Sequence, residues 1–302
     1  MTGPDPGLVE LANSRLRVVV QPGLGAGLTQ MATWHGGGWQ PLMRSLPGPA
    51  QDPEQLACCV LVPWSNRLYG GGFRWRDRAV SLGSMWPGDR LPLHGHAWLA
   101  PWQVVAGSPD ELVLTHAHEL SGGFAYAARL RYRLEGACLR VELGVEHRGP
   151  SPLPYGLGLH PWFVRDPDTE VAFRSTGRWE PDARQAPRHF RPLGSEQPLS
   201  FDAGRPLPPE LIDHVYAGWD GEAEICWPER GLALRMRADE RARNLVVYSP
   251  PPQAHRTGFV CLEPVTHRND AHRAPDPLAE GLVELRCGER LSLAVTLEAV
   301  AA

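Results

Sequence analysis

Apolar positions along this chain recur mostly with a period of two. In 129–134 (Arg-Leu-Arg-Tyr-Arg-Leu) and 139–143 (Leu-Arg-Val-Glu-Leu), apolar and charged side chains alternate. That is the spacing of a strand with one buried and one wetted face. Further short apolar or alternating pieces at 16–20, 111–115, 127–134, 138–145, 222–227, 232–237, 244–248 and 291–297 read as strands. Glycine (32) and proline (31) cut the chain into these pieces. Helical patterns are few. Residues 52–59 predict one short helix, with Asp52 as cap and Pro53 in the first turn, and 278–282 give a weaker one. Residues 181–211 are rich in Pro and Arg and read as an irregular surface excursion. The pattern predicts an all-β fold, an antiparallel sandwich or barrel with few short helices. With no internal repeat, one domain over residues 1–302 is expected, its core at about 15–298.

Composition narrows the function classes. An apolar fraction of 42% suits a sizeable core, and a net charge of -4 implies neither a nucleic-acid nor an anionic-membrane partner. All 30 basic residues are Arg, which excludes Schiff-base chemistry and a P-loop lysine. The six cysteines form no CxxC pair, and most sit in apolar runs, so buried free thiols are expected rather than disulfides or a zinc site. Residues 1–6 are polar and lack a leader's basic start and apolar centre, and no run approaches the roughly 18 apolar residues of a membrane span. A cytoplasmic protein, monomer or homodimer, is expected.

The chain's chemistry gathers around 258–266, Gly-Phe-Val-Cys-Leu-Glu-Pro-Val-Thr. It reads as a strand over 259–262, stopped by Pro264, with the Glu263 carboxylate at its end. Two other Gly/Pro-punctuated stretches carry histidines: His94 and His96 in 91–96, and His160 in 155–163, followed by Pro161, Trp162 and Phe163. A carboxylate with histidines is the minimum set for moving a proton between oxygens near neutral pH. Asn66-Arg67 before Gly70-Gly71-Gly72 offers donors suited to vicinal hydroxyls; an exposed arginine on a glycine hairpin is the plainer reading. His94-Gly-His96 also has the spacing of two metal ligands, but no third ligand cluster is evident, so no metal is expected. Asp213, in Leu-Ile-Asp-His-Val-Tyr, reads on its own as a turn or strand-start aspartate. Trp64, Trp98 and Trp162 are candidates to fill the core or to offer an apolar face to a ligand.

These segments, in this order, resemble the aldose 1-epimerase (mutarotase) family: Asn66-Arg67 with its glycines, Leu93-His94-Gly95, Leu159-His160-Pro161-Trp162-Phe163, Asp213 in Ile-Asp-His-Val-Tyr, and Leu262-Glu263-Pro264. The resemblance covers roughly residues 15–298. It implies a large antiparallel β-sandwich, galactose mutarotase-like, that takes a small-molecule sugar in a cleft across one sheet and needs no metal or organic cofactor. By resemblance Glu263 is the general base, His160 the general acid and His94 an assisting group near the ring oxygen. Asn66, Arg67 and Asp213 hold hydroxyls, with His96 and Trp162 as further substrate contacts. His96 stands where many relatives carry glycine, which bears on sugar preference. Three alternatives stay open: a hexose-6-phosphate mutarotase using Arg74, Arg76 or Arg78, a non-catalytic carbohydrate-binding protein, and a glycoside hydrolase or lyase using Asp213 with Glu263.

Overall fold

The computed structural model describes residues 7–83, 91–119, 121–182, 186–195, 197–252 and 258–302. Two large antiparallel sheets form a sandwich. The first runs, edge to edge, through Val9–Ala12, Leu16–Gln21, Gly27–His35, Cys58–Leu61, Gly158–Val164, Phe259–Val265, Asn244–Ser249, Ile212–Ala217, Gly177–Pro181 and Pro187–Pro192, with Gly38–Pro41 paired to Gly27–His35. The second runs through Arg205–Pro206, Glu170–Phe173, Glu222–Trp227, Leu232–Ala238, Arg290–Ala301, Cys138–His147, Ala125–Glu135, Glu111–Glu119 and Gln103–Gly107. Period-two alternation decides what lies between the sheets. Val60, Leu159, Leu245, Val247, Val260 and Leu262 of the first sheet pack into one core with Leu130, Leu143 and Leu293 of the second. The Tyr132 hydroxyl crosses this core to donate to the Ala26 carbonyl at 2.8 Å.

The residues between those inward positions face the other way. Cys59, Leu61, Trp162, Val215, Val246, Phe259 and Cys261 form a second apolar cluster on the outer face of the first sheet. Alternation places His160, Asp213 and Glu263 on that same outer face. The floor of the site is therefore a consequence of strand periodicity.

Several local expectations are corrected. The strand bearing Glu263 does not stop before Pro264 but continues to Val265. It pairs with Gly158–Val164 at both ends, Gly158 opposite Val265 and Trp162 opposite Cys261, with no ladder pairs between. Pro161 and Pro264 have no N–H to give, so the ladder opens there while Pro264 keeps its register with Leu245 on the other side. The 52–59 helix shrinks to one 3₁₀ turn, Pro53–Gln55, with the Asp52 side chain accepting from the Glu54 N–H at 2.7 Å. Cys58–Leu61, buried at every position, joins the first sheet instead; burial between neighbouring strands outweighs a short helical signal. Residues 278–281 form turns, not a helix. The 181–211 excursion contains Pro187–Pro192, an edge strand, and Arg205–Pro206. All six cysteines are free; Cys58, Cys59 and Cys261 are buried, whereas Cys287 is exposed. Among the described residues no helix is long and apolar enough to cross a membrane. The polar start, 1–6, lies outside them.

Candidate active site

A cleft of about 680 Å³ opens over the outer face of the first sheet, a volume typical of small-ligand sites. At its floor His160 Nε2 lies 3.3 Å from Glu263 Oε1, with both side chains almost wholly covered. His160 stacks flat on Trp162, ring centroids 3.8 Å apart, and meets His94 edge-on at 5.5 Å. Neither His160 Nδ1 nor Glu263 Oε2 has a hydrogen-bond partner among the described residues, although both atoms are buried. Each group thus keeps hydrogen-bonding capacity that the described residues do not use.

Two loops form the wall. The Asn66 N–H donates to His94 Nδ1 at 3.0 Å, and the His94 N–H donates back to the Asn66 carbonyl at 3.1 Å. Arg67 bridges Leu93 between the same two loops. His94 and Asn66 both adopt left-handed backbone (φ 56° and 61°), and Gly95 follows at 69°. A side chain at Gly95 would collide with the Val62 carbonyl, so glycine is required there. Because His94 Nδ1 accepts a hydrogen bond, the neutral ring carries its proton on Nε2. Beneath this wall His267 Nδ1 faces the Arg268 carbonyl at 2.7 Å, while its Nε2 accepts from the Ser65 N–H at 3.0 Å. A buried neutral imidazole thus pins the segment that carries Asn66 and Arg67.

Desolvation dominates the electrostatics. Burial pushes the Glu263 carboxyl well above its ordinary value, and the Asp213 charge adds to this. Burial pushes His160 well below 6.5, helped by His94 and Arg44. His94 falls to about 3, through burial first and then Arg67. Asp213 is open to water yet stands inside the concavity; desolvation raises its carboxyl, and Arg67 opposes that rise. Burial thus disfavours the charged form of both His160 and Glu263 and favours the neutral pair.

Of the residues expected at a site, Asn66, Arg67, His94, His160, Trp162, Asp213 and Glu263 all line this cleft. His96 does not. The left-handed turn at His94-Gly95 sends its ring onto His118 of the second sheet, centroids 3.6 Å apart. Trp64 and Trp98 are buried in the protein, leaving Trp162 as the cleft tryptophan of the three. Arg74, Arg76 and Arg78 are absent from the lining, and Arg76 pairs with Glu284 at 2.6 Å. Sequence reasoning missed Arg44 and Tyr248. Arg44 spreads over the Trp162 ring at 4.0 Å and donates to the backbone carbonyls of Leu56 and Glu54. Tyr248 alternates with Val246 on a predicted strand, a signal that was present; nothing in the spacing marks Arg44. A larger groove, about 810 Å³, lies along the second sheet; its lining includes His116 and Glu146, the latter accepting from Arg290 at 2.9 Å.

A family model described as aldose 1-epimerase matches residues 7–298. The chain belongs to the aldose 1-epimerase family. Its relatives include the uncharacterized protein YphB of Escherichia coli K12, 33% identical over 262 residues, 85% of this chain and 88% of YphB. The crystal structure of a candidate aldose 1-epimerase from the same organism is 28% identical, with a TM-score of 0.89 over 98% of this chain and 99% of that one. A galactose 1-epimerase from Lactobacillus acidophilus NCFM, 14% identical with a TM-score of 0.79 over 100% and 97% of the two chains, shares the fold. The epimerase family and its β-sandwich thus agree with the resemblance carried by the sequence motifs.

Proposed function

We propose that this protein interconverts the α and β anomers of a free aldohexose, with Glu263 as general base and His160 as general acid. The observation that carries the reading is the 3.3 Å contact between these two groups on the cleft floor, each with an unspent polar atom. Sugar hydroxyls donating to the carboxylate favour moving the shared proton to the imidazole, which gives the reactive ion pair. Glu263 then takes the proton from O1 as the C1–O5 bond breaks and C1=O1 forms, and His160 protonates O5. The open-chain aldehyde rotates about C1–C2, and the reverse transfers close the ring on its other face. Ring opening returns the pair to its neutral form, the form burial favours. His94 offers its Nε2–H as a second donor towards the ring oxygen. Asn66, Arg67 and Asp213 orient hydroxyls, and Trp162 presents an apolar face.

Arg74, Arg76 and Arg78 do not line the cleft, which removes the residues on which the hexose 6-phosphate reading was built. Equilibration of separate anomers of free and 6-phosphorylated aldohexoses, followed by polarimetry, tests the reading. Faster exchange of free sugars is expected. Sugar binding without exchange would indicate a carbohydrate-binding protein, and release of reducing sugar from a disaccharide would indicate a hydrolase.

A further inference from the structure

Away from the cleft, three imidazoles converge at the rim where the two sheets meet. Inward positions on Glu111–Glu119 alternate: Leu112 and Leu114 enter the core, and the same face then continues as His116 and His118. His118 lies opposite Tyr126 and His116 opposite Ala128, both buried. An apolar pair would be the ordinary continuation of this face. His96 descends onto the two histidines from the 91–100 loop, held by its N–H to the Val62 carbonyl at 3.2 Å. One nitrogen from each ring lies within 4.8 Å of the others.

Two of the ring nitrogens here have no hydrogen-bond partner among the described residues. His116 Nδ1 faces the Pro101 carbonyl at 3.2 Å, a contact that requires its proton and leaves the lone pair on Nε2. That Nε2, and Nδ1 of His96, are buried without a hydrogen-bond partner among the described residues. A carbonyl behind one imidazole nitrogen, with the other nitrogen unspent, is the arrangement that orients metal-ligating histidines. Trp102 and Tyr126 close on His116 at 5.4 and 5.9 Å, giving the cluster an apolar wall.

We propose that His96, His116 and His118 form a site for one divalent transition-metal ion of the zinc class, with its fourth position open to water. Imidazole nitrogens without carboxylates suit zinc, cobalt, nickel and copper rather than magnesium or calcium. Zinc–nitrogen bonds of about 2.0–2.1 Å place tetrahedral ligand atoms roughly 3.3 Å apart, so the cluster must tighten on binding. The His96 and His118 rings now stack within 7° of parallel. In-plane lone pairs of parallel rings do not meet, so rotation about Cβ–Cγ has to splay them. The ion would clip the loop carrying His94 to the second sheet, which makes the site structural rather than part of the anomer exchange.

The test uses tag-free, chelator-stripped full-length protein titrated with Zn(II) by calorimetry and with Co(II) by visible absorption. One saturable equivalent, a tetrahedral-type Co(II) band and a rise of a few degrees in Tm with Zn(II) are expected. His116→Asn and His118→Asn should each weaken binding at least about a hundredfold, while His160→Gln retains it. Should these variants misfold, long-range ¹H–¹⁵N spectra of the wild-type protein decide: Zn(II) must move the signals of His96, His116 and His118. No saturable equivalent, binding that survives both substitutions, or shifts at His94 and His160 instead would overturn the proposal.

Discussion

His160 and Glu263 face each other across two neighbouring antiparallel strands. Gly158 opposite Val265 and Trp162 opposite Cys261 fix a register that sets residue 160 against residue 263. The proline after each of them opens the ladder at that point, and the side chains meet at 3.3 Å. Groups coupled this closely act as a unit. The double variant His160→Gln/Glu263→Gln should therefore exchange anomers no more slowly than about the slower single variant. Multiplication of the two single losses, measured by polarimetry, would show that they act independently.

The pH profile follows from the same pair. The proposed mechanism needs one proton on it. A second proton must go onto His160, which is pushed well below 6.5, so the acid limb of kcat/KM should fall below pH 6.5. Loss of the shared proton is opposed by the raised Glu263, so the alkaline limb lies well above 4.5. The limbs belong to the pair and not to either residue. An acid limb at 6.5, as for an exposed imidazole, would contradict the burial argument.

Asp213 raises Glu263 through its charge. Asp213→Asn should lower the alkaline limb, because removing the negative charge eases ionisation of the carboxyl. It should also raise KM about tenfold or more through lost hydroxyl contacts, with a smaller change in kcat. An unmoved limb would place Asp213 too far from the pair to act on it.

Acid should loosen the wall of the cleft. His267 is buried and neutral, its pKa lowered to about 4 by burial despite the raising contact with the Arg268 carbonyl. A depressed folded-state value means that its contribution is whole above the unfolded value near 6.5 and is lost as pH falls towards 4. Protonation would also turn Nε2 into a donor facing the Ser65 N–H. Tm should therefore fall between pH 7 and pH 4, and His267→Gln should flatten part of that fall. A Tm independent of pH over this window would contradict the assignment.

Much of this architecture was legible because strand periodicity is local. Arg129 to Leu134 and Leu139 to Leu143 alternate in sequence and do so in the second sheet. That Glu263, His160, His94, Asn66, Arg67, Trp162 and Asp213 belong together was legible as far as their shared cleft, since each sits in a short motif whose neighbours constrain it. What failed depended on distant partners. Cys58 and Cys59 look as helical as they do extended until neighbouring strands cover them. His96 reads as a sugar contact in sequence because nothing near it reveals that its ring packs on His118 of the other sheet. The His-x-His spacing of His116 and His118 in an alternating stretch was the overlooked signal. Arg44 reaches the cleft only because Trp162 lies beneath it.

The most direct test is the rate of anomer exchange by Glu263→Gln, measured by NMR magnetisation transfer on the preferred sugar, with sugar affinity measured alongside. The amide keeps the shape but cannot accept the O1 proton. A loss of at least about a hundredfold in kcat with affinity retained is expected. Exchange near the wild-type rate would remove Glu263 from the role of base and the mechanism with it.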